Sequence, residues 1–518
     1  MNSNKLFRIV LIFFLIRPFF VSAQLEHIEF KNDFEKGVLT DIENHSSLEI
    51  LFAISEDNSN ILLDKASHEI DLLIEELSKK KFESKSEEKK LKLLFNLTHR
   101  KFFLKYREVS NFSKIFDVKE YNCVSATALY CLILDKYNIP YAIKETPTHV
   151  YAIAYPKTKG IILESTAPQD GFYKPSDTEI NDAVNSLVEL KYYTQDEVAS
   201  KGVRQVYNEF FFSKDEIDLK KLAGLQYYNE TITFLSEQKF KEALNSIYKA
   251  QFLYPSDKNE YLSGILLANI LLKSKFDNLE DIQYLAQYAN LSNADDNQIL
   301  QTFSVITENR LFQESNTVFM DSAFSYLEQS LLDSTLVRNI SELYYNNLAH
   351  YYGQKSNFKK TLEYASVAFK LNPVNVNTQS LITQILIQDL SRRSGNLNTI
   401  KKMDDYVIEY SFLETNSLYQ SLYFYTYTIQ AYNHLIANDI EKGLAYLKNM
   451  EELIENFGEE LRYDENQYGL IYAEAGAAYF RERKYTKAKN IIEKGLVKIP
   501  EHPELKVRHK IVVEELSK

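Results

Sequence analysis

The chain has 518 residues, with 60 Lys and Arg against 72 Asp and Glu and a formal net charge of -12. That length exceeds a single core and implies about two or three domains, and an acidic chain without a basic stripe excludes a nucleic-acid partner gripped by its phosphates. With 37 Tyr and 32 Phe but only 13 Gly and 10 Pro, the composition favours long packed helices over loops or disorder.

Residues 1–23 read as a secretory signal: Lys5 and Arg8, then apolar Ile9 to Ile16, then the small-residue site Val21-Ser22-Ala23 before Gln24. Arg17-Pro18 interrupts the apolar run, which is too short for a membrane span, and an uncleaved anchor would leave the V-x-A site unexplained. No Cys follows the run, which argues against a lipid anchor, and no later stretch is long and apolar enough to span a bilayer. The expected mature chain is therefore soluble and exported, periplasmic or extracellular.

From about Leu25 to Glu120 the pattern is helical. Leu63, Ala66, Ile70, Leu73, Ile74 and Leu77 share one face, and Ser84-x-x-Glu87 announces a second helix through a capping box, followed by Leu91, Leu94, Phe95 and Phe102. The runs Lys79-Lys80-Lys81 and Lys89-Lys90 read as solvated turns, and His68 and His99 lack metal-ligand spacing. No metal and no cofactor is expected.

Tyr121 to Thr166 holds the chemistry. Val124, Ala128, Leu129, Cys131 and Leu132 recur at helical spacing, so Cys123 falls in the first turn with Asn122 as N-cap. There the free N–H groups and the helix dipole favour an anion, which makes a thiolate available. After Asn138-Ile139-Pro140, strands are expected at Tyr141–Lys144, Thr148–Tyr155 and Gly160–Thr166, with Pro156 to Lys159 as the turn. If Tyr155 pairs with Gly160, Glu164 lies opposite Tyr151, one diagonal step from His149 and on its face. A helix-opening Cys, a His and an acid that orients it form an activated nucleophile.

At these residues the chain resembles the transglutaminase-like (papain-related) superfamily, in which the order is Cys on a helix, His on a strand and Asp on the next strand. Cys123, His149 and Glu164 fall at those positions, and N-C-V-S-A-T-A-L-Y is similar to the nucleophile helix of the bacterial branch. The resemblance runs from the helices before Cys123 to Lys214. It implies an α+β fold over residues 24–214 and a catalytic triad of Cys123, His149 and Glu164, acting on a protein or peptide substrate. Two departures stand out: Glu164 replaces the usual Asp, and the chain has no Trp to assist an oxyanion hole. Asp170 is the reserve orienting acid.

The two cysteines lie about 12 Å apart along one helix, beyond the roughly 7 Å reach of a disulfide, so both are expected as free thiols. Cys131, between Tyr130 and Leu132, reads as a buried core residue.

Val206 to Phe212 reads as the last strand, and from Asp215 the texture becomes helix after helix. Tyr227, Phe234, Phe240, Ala243, Ala250 and Pro255 recur as Tyr345, Tyr352, Phe358, Thr361, Ala368 and Pro373, and again as Tyr472, Tyr479, Tyr485, Ala488, Gly495 and Pro500. A fainter copy holds Tyr427, Ala431, Ile440, Gly443 and Leu447. This spacing resembles the tetratricopeptide repeat, a helix-turn-helix of about 34 residues, and implies an all-α solenoid over residues 215–518 that binds a protein partner. The aromatic signature positions read as packing rather than as a ligand platform. Two functions remain open: an exported cysteine-dependent amide hydrolase or acyl transferase with a protein-binding solenoid, or a non-catalytic version of the same fold serving as a protein-interaction scaffold.

Overall fold

The structure, a computed structural model, describes residues 27–518 except 57–58, 147–148, 158–159, 165–176, 190–192, 212–216, 293, 394 and 397. The expected signal segment and Asp170 lie outside the described residues. The chain divides into two compact units, Met1–Lys275 and Phe276–Lys518.

The first unit opens with α1 (Asp33–Thr40), α2 (Ser47–Phe52), α3 (Ser59–Lys79) and α4 (Glu87–Phe102). Apolar residues of α3 repeat every three or four positions, and that stripe buries Ala66, Ile70, Leu73 and Leu77. The capping box expected at Ser84 and Glu87 does not form. Ser84 instead closes a 3-10 turn, its hydroxyl donating to the Lys81 carbonyl at 2.9 Å, and Ser86 takes the N-cap position of α4. Two short strands then pair in parallel, β1 (Lys105–Tyr106) with β2 (Glu120–Tyr121), with α5 (Lys114–Asp117) between them in sequence.

β2 runs directly into α6 (Cys123–Lys136), followed by an antiparallel sheet of β3 (Tyr141–Glu145), β4 (Val150–Ala154) and β5 (Ile161–Leu163) in that order. Ala152 lies opposite Leu163 and Ala154 opposite Ile161, and the Gly160 N–H donates to the Tyr155 carbonyl at 3.0 Å. That register places Glu164 next to Tyr151, as the turn residues predict. Val150, Ala152, Ala154, Ile161 and Leu163 are buried. Alternation along the strands therefore leaves His149, Tyr151 and Glu164 on the other face.

The expected strand at Val206–Phe212 is helical where described. α7 (Asp177–Glu189) and α8 (Gln195–Lys201) precede α9 (Val203–Phe211), where Val203, Val206 and Tyr207, spaced three and four apart, pack against Val184 and Leu187. The helical period, not the β-branched and aromatic content, decides that stretch. Ile217 then bridges Ile143 on the outer edge of β3, and the chain enters α10 (Leu219–Ser236), α11 (Phe240–Leu253) and α12 (Asp257–Lys273).

These helices share a core with the start of the chain. Gln226 on α10 donates to the Leu51 carbonyl at 3.2 Å and accepts from the Phe112 N–H at 2.7 Å. Lys249 on α11 reaches both carboxylate oxygens of Glu35 at 3.0 and 2.9 Å, and the Tyr227 hydroxyl donates to the same group at 2.7 Å. All three side chains are fully buried. The change of sequence texture at 215 is thus not a break in packing, and the unit closes after α12.

The second unit contains α13 (Leu279–Ala289), α14 (Asp296–Thr307) with a π-helical turn at Glu308–Gln313, α15 (Thr317–Ser330), α16 (Ser334–Gln354), α17 (Phe358–Leu371) and α18 (Val376–Ser391). α19 (Asn398–Glu409), α20 (Ser417–Ile436), α21 (Ile440–Phe457), α22 (Glu465–Arg481), α23 (Tyr485–Lys498) and α24 (Pro503–Leu516) complete it.

The repeat signature marks real hairpins. α10–α11, α16–α17, α20–α21 and α22–α23 pack as pairs, and each turn holds one residue in the left-handed region: Gln238, Ser356, Asn438 and Arg483, with φ of 57°, 56°, 63° and 60°. The next N–H returns to the carbonyl of Phe234, Tyr352, His434 or Tyr479 at 2.8–2.9 Å, a Schellman closure made four times. Small signature residues sit where helices touch: a Cβ on Gly495 would lie 2.7 Å from the Tyr472 Cβ, and one on Gly443 2.5 Å from the Leu435 Cγ. Among the described residues no helix is long and apolar enough to cross a membrane.

Candidate active site

Asn122 sets the position of the cysteine. Its side-chain oxygen accepts from the Ser125 N–H at 2.9 Å while the Ser125 hydroxyl accepts from the Asn122 N–H at 2.9 Å, a reciprocal cap that starts α6 at Cys123. The same amide donates to the Glu108 and Ser110 carbonyls at 2.9 and 2.6 Å, tying the loop after β1 to the helix opening. Thr127 completes the placement by donating to the Val150 carbonyl at 3.1 Å, which fixes α6 on β4. Cys123 is a free thiol, partly exposed. Cys131 is a free thiol too, but fully buried, and burial pushes its pKa well up.

His149 immediately precedes β4, and the Thr146 N–H donates to its carbonyl at 2.7 Å and the Thr146 hydroxyl at 3.0 Å. Its Nε2 is 2.6 Å from the Glu164 Oε2, and the ring also hydrogen-bonds Cys123. The side chains of His149 and Glu164 are 24% and 12% exposed. Burial alone would push the imidazolium down, but the hydrogen bonds to Cys123 and Glu164 and their charges outweigh it and raise His149 from its ordinary 6.5 to about 9. Near neutral pH the ring is therefore a cation between a carboxylate and a thiol. That is the charge arrangement that stabilises a thiolate nucleophile.

Two tyrosines at the site are not singled out as site residues by the sequence, although Tyr130 closes the N-C-V-S-A-T-A-L-Y motif. Tyr106 pairs with Tyr121 across the parallel β1–β2 ladder, its ring edge-on to Tyr121 at 5.6 Å. Partial burial pushes its hydroxyl pKa up, and the charges of Cys123 and Glu164 push it the same way. Tyr130, fully buried on α6, has a hydroxyl with no hydrogen-bond partner among the described residues, and burial with the charges of Tyr121 and Glu164 holds it protonated. Only the ladder between strands of two residues brings Tyr106 here, and no periodicity in the sequence announces that ladder. No group of three or more His, Cys, Asp or Glu side chains suited to a metal occurs among the described residues.

The sequence matches no family model and no curated protein. Among solved structures, the crystal structure of the APC/C hetero-tetramer Cut9-Hcn1 aligns over 78% of this chain and 86% of that chain, with 11% identity and a TM-score of 0.16. A superposition that loose supports no statement about fold or partners. The helical-repeat character of the chain rests on its own four hairpins.

Proposed function

We propose that this chain is an exported protein-interaction scaffold, in which tetratricopeptide-like hairpins hold a protein partner and an N-terminal fold of transglutaminase-like type is built onto the first hairpin. The observation that carries it is the fourfold recurrence of one hairpin turn at Gln238, Ser356, Asn438 and Arg483. Stacked hairpins of this kind create extended surfaces suited to proteins rather than small molecules.

A second reading adds chemistry to the scaffold, and the bonding of one imidazole to both Glu164 and Cys123 favours it. In this reading the Cys123 thiolate attacks an amide carbonyl carbon, forming a C–S bond, and the Cys123 N–H at the helix opening stabilises the oxyanion. His149 gives its proton to the departing amine as the C–N bond breaks, then takes one from the acceptor that attacks the thioester, and the thiolate leaves. Water as acceptor gives hydrolysis; an amine gives transfer. Glu164 keeps the ring oriented and charged in the way an Asp would.

Incubation with p-nitrophenyl acetate separates the readings. An acetyl adduct on Cys123 in the intact protein, absent from Cys123→Ser, supports the thiol site. Acetylation that ignores Cys123 overturns it and leaves the scaffold alone.

A further inference from the structure

His149 is supported from a direction that the triad does not explain. Glu145, the last residue of β3, pairs with Val150, the first of β4, and Thr146 and His149 lie just beyond that rung. Thr146 and His149 are tied to each other by the Thr146 contacts to the His149 carbonyl and by the His149 N–H to the Thr146 carbonyl at 3.4 Å. Glu145 points to the same face as Val150, away from His149 and toward the repeat helices. There the Tyr254 hydroxyl donates to its Oε2 at 2.6 Å, and the Lys258 ammonium pairs with its Oε1.

Both partners are themselves held. The Tyr254 N–H donates to the Ala250 carbonyl at 2.7 Å at the end of α11, and its own carbonyl accepts from the buried Asn259 amide at 2.8 Å. Its Cβ packs so closely on α10 that a methyl on Gly224 would lie 2.8 Å from it. Lys258, in the first turn of α12, lies over the Tyr228 and Tyr254 rings at 4.8 and 5.4 Å. The Glu145 side chain is 19% exposed and that of Lys258 39%, so the carboxylate is largely enclosed and takes one hydroxyl and one charge-assisted donor while its ammonium partner stays half exposed.

We propose that Glu145 is a positioning residue for His149: through it the first repeat hairpin and α12, by way of Tyr254 and Lys258, fix the end of β3, which the Glu145–Val150 rung and the Thr146–His149 bonds couple to the imidazole beside Cys123 and Glu164. This rests on the cysteine-site reading, and it makes the helical repeats part of the site rather than an appendage. A partner that displaced Tyr254 or Lys258 would loosen the histidine without touching the triad.

The test uses the full mature chain with Glu145→Ala, and with Tyr254→Phe, which removes only a hydroxyl in case the first variant does not fold. Each is made in the wild-type and in the His149→Ala background. The readouts are the rate of iodoacetamide labelling of Cys123 at pH 7 and the NMR titration of His149. Expected is a loss of about tenfold in labelling in the wild-type background, no further loss in His149→Ala, and a His149 titration that moves from about 9 toward 6.5. Equal slowing in both backgrounds, or an unmoved titration in folded variants, overturns the positioning role. If His149→Ala itself leaves labelling unchanged, the cysteine-site reading falls first, and the titration alone then decides whether Glu145 still holds the ring.

Discussion

Lys249 and Glu35 form an ion pair with both side chains at 0% exposure, and its partners come from α11 and α1. Removing one member strands the other charge away from water, so Lys249→Ala should cost about 3–5 kcal/mol of stability, whereas the double change Glu35→Gln with Lys249→Met should cost much less. Urea unfolding of the three proteins measures both. His149 makes a pH-dependent contribution. Its folded pKa is raised from 6.5 to about 9, so its stabilisation is fully present below pH 6.5 and lost as pH rises through about 9. The melting temperatures of wild type and His149→Gln should therefore differ at pH 6 and draw together by pH 10, and a constant gap would contradict the imidazolium assignment. That Cys123, His149 and Glu164 come together could be read from sequence because they lie on one helix and one hairpin whose register follows from Tyr155 and Gly160. Glu35 and Lys249, 214 residues apart, obey no local rule.

At the scale of elements, the hairpin turns place ordinary side chains where glycine is at ease. Arg483 has φ of 60° in the turn between α22 and α23. Arg483→Gly should relieve the left-handed strain and shift stability upward by at most about 1 kcal/mol, the gain being reduced by the freedom glycine adds to the unfolded chain. Thermal melts of the two proteins measure it, and a clear loss would contradict the reading that the left-handed turn strains Arg483. Helix pairs were legible because small and large residues recur at fixed offsets. Val206 misled because Val, Tyr and Phe favour strands when read alone, while the neighbours Val184 and Leu187 that settle the matter are outside any short window. The cap of α4 misled similarly: Ser84 and Ser86 are both competent, and the 3-10 turn taken by Ser84 decides between them.

For the whole molecule, the compact unit ends at Lys275 although the sequence changes character sixty residues earlier. A fragment of residues 24–214 would lose the Gln226 bonds, the Lys249–Glu35 pair and the Ile143–Ile217 bridge, and should not fold alone. Residues 24–275 should fold, as followed by circular dichroism and resistance to protease. A stable, cooperative 24–214 fragment would show that the first hairpin is dispensable. What separates a bare scaffold from one that carries chemistry is whether Cys123, His149 and Glu164 act as one site. Mass-spectrometric mapping of iodoacetamide labelling at pH 7, on folded wild type and His149→Ala, tests this most directly. The account predicts that Cys123 reacts about tenfold or more faster than an unperturbed thiol and slows when His149 is removed, while Cys131 stays unmodified until unfolding. Labelling of Cys123 at an ordinary rate, indifferent to His149, would contradict it.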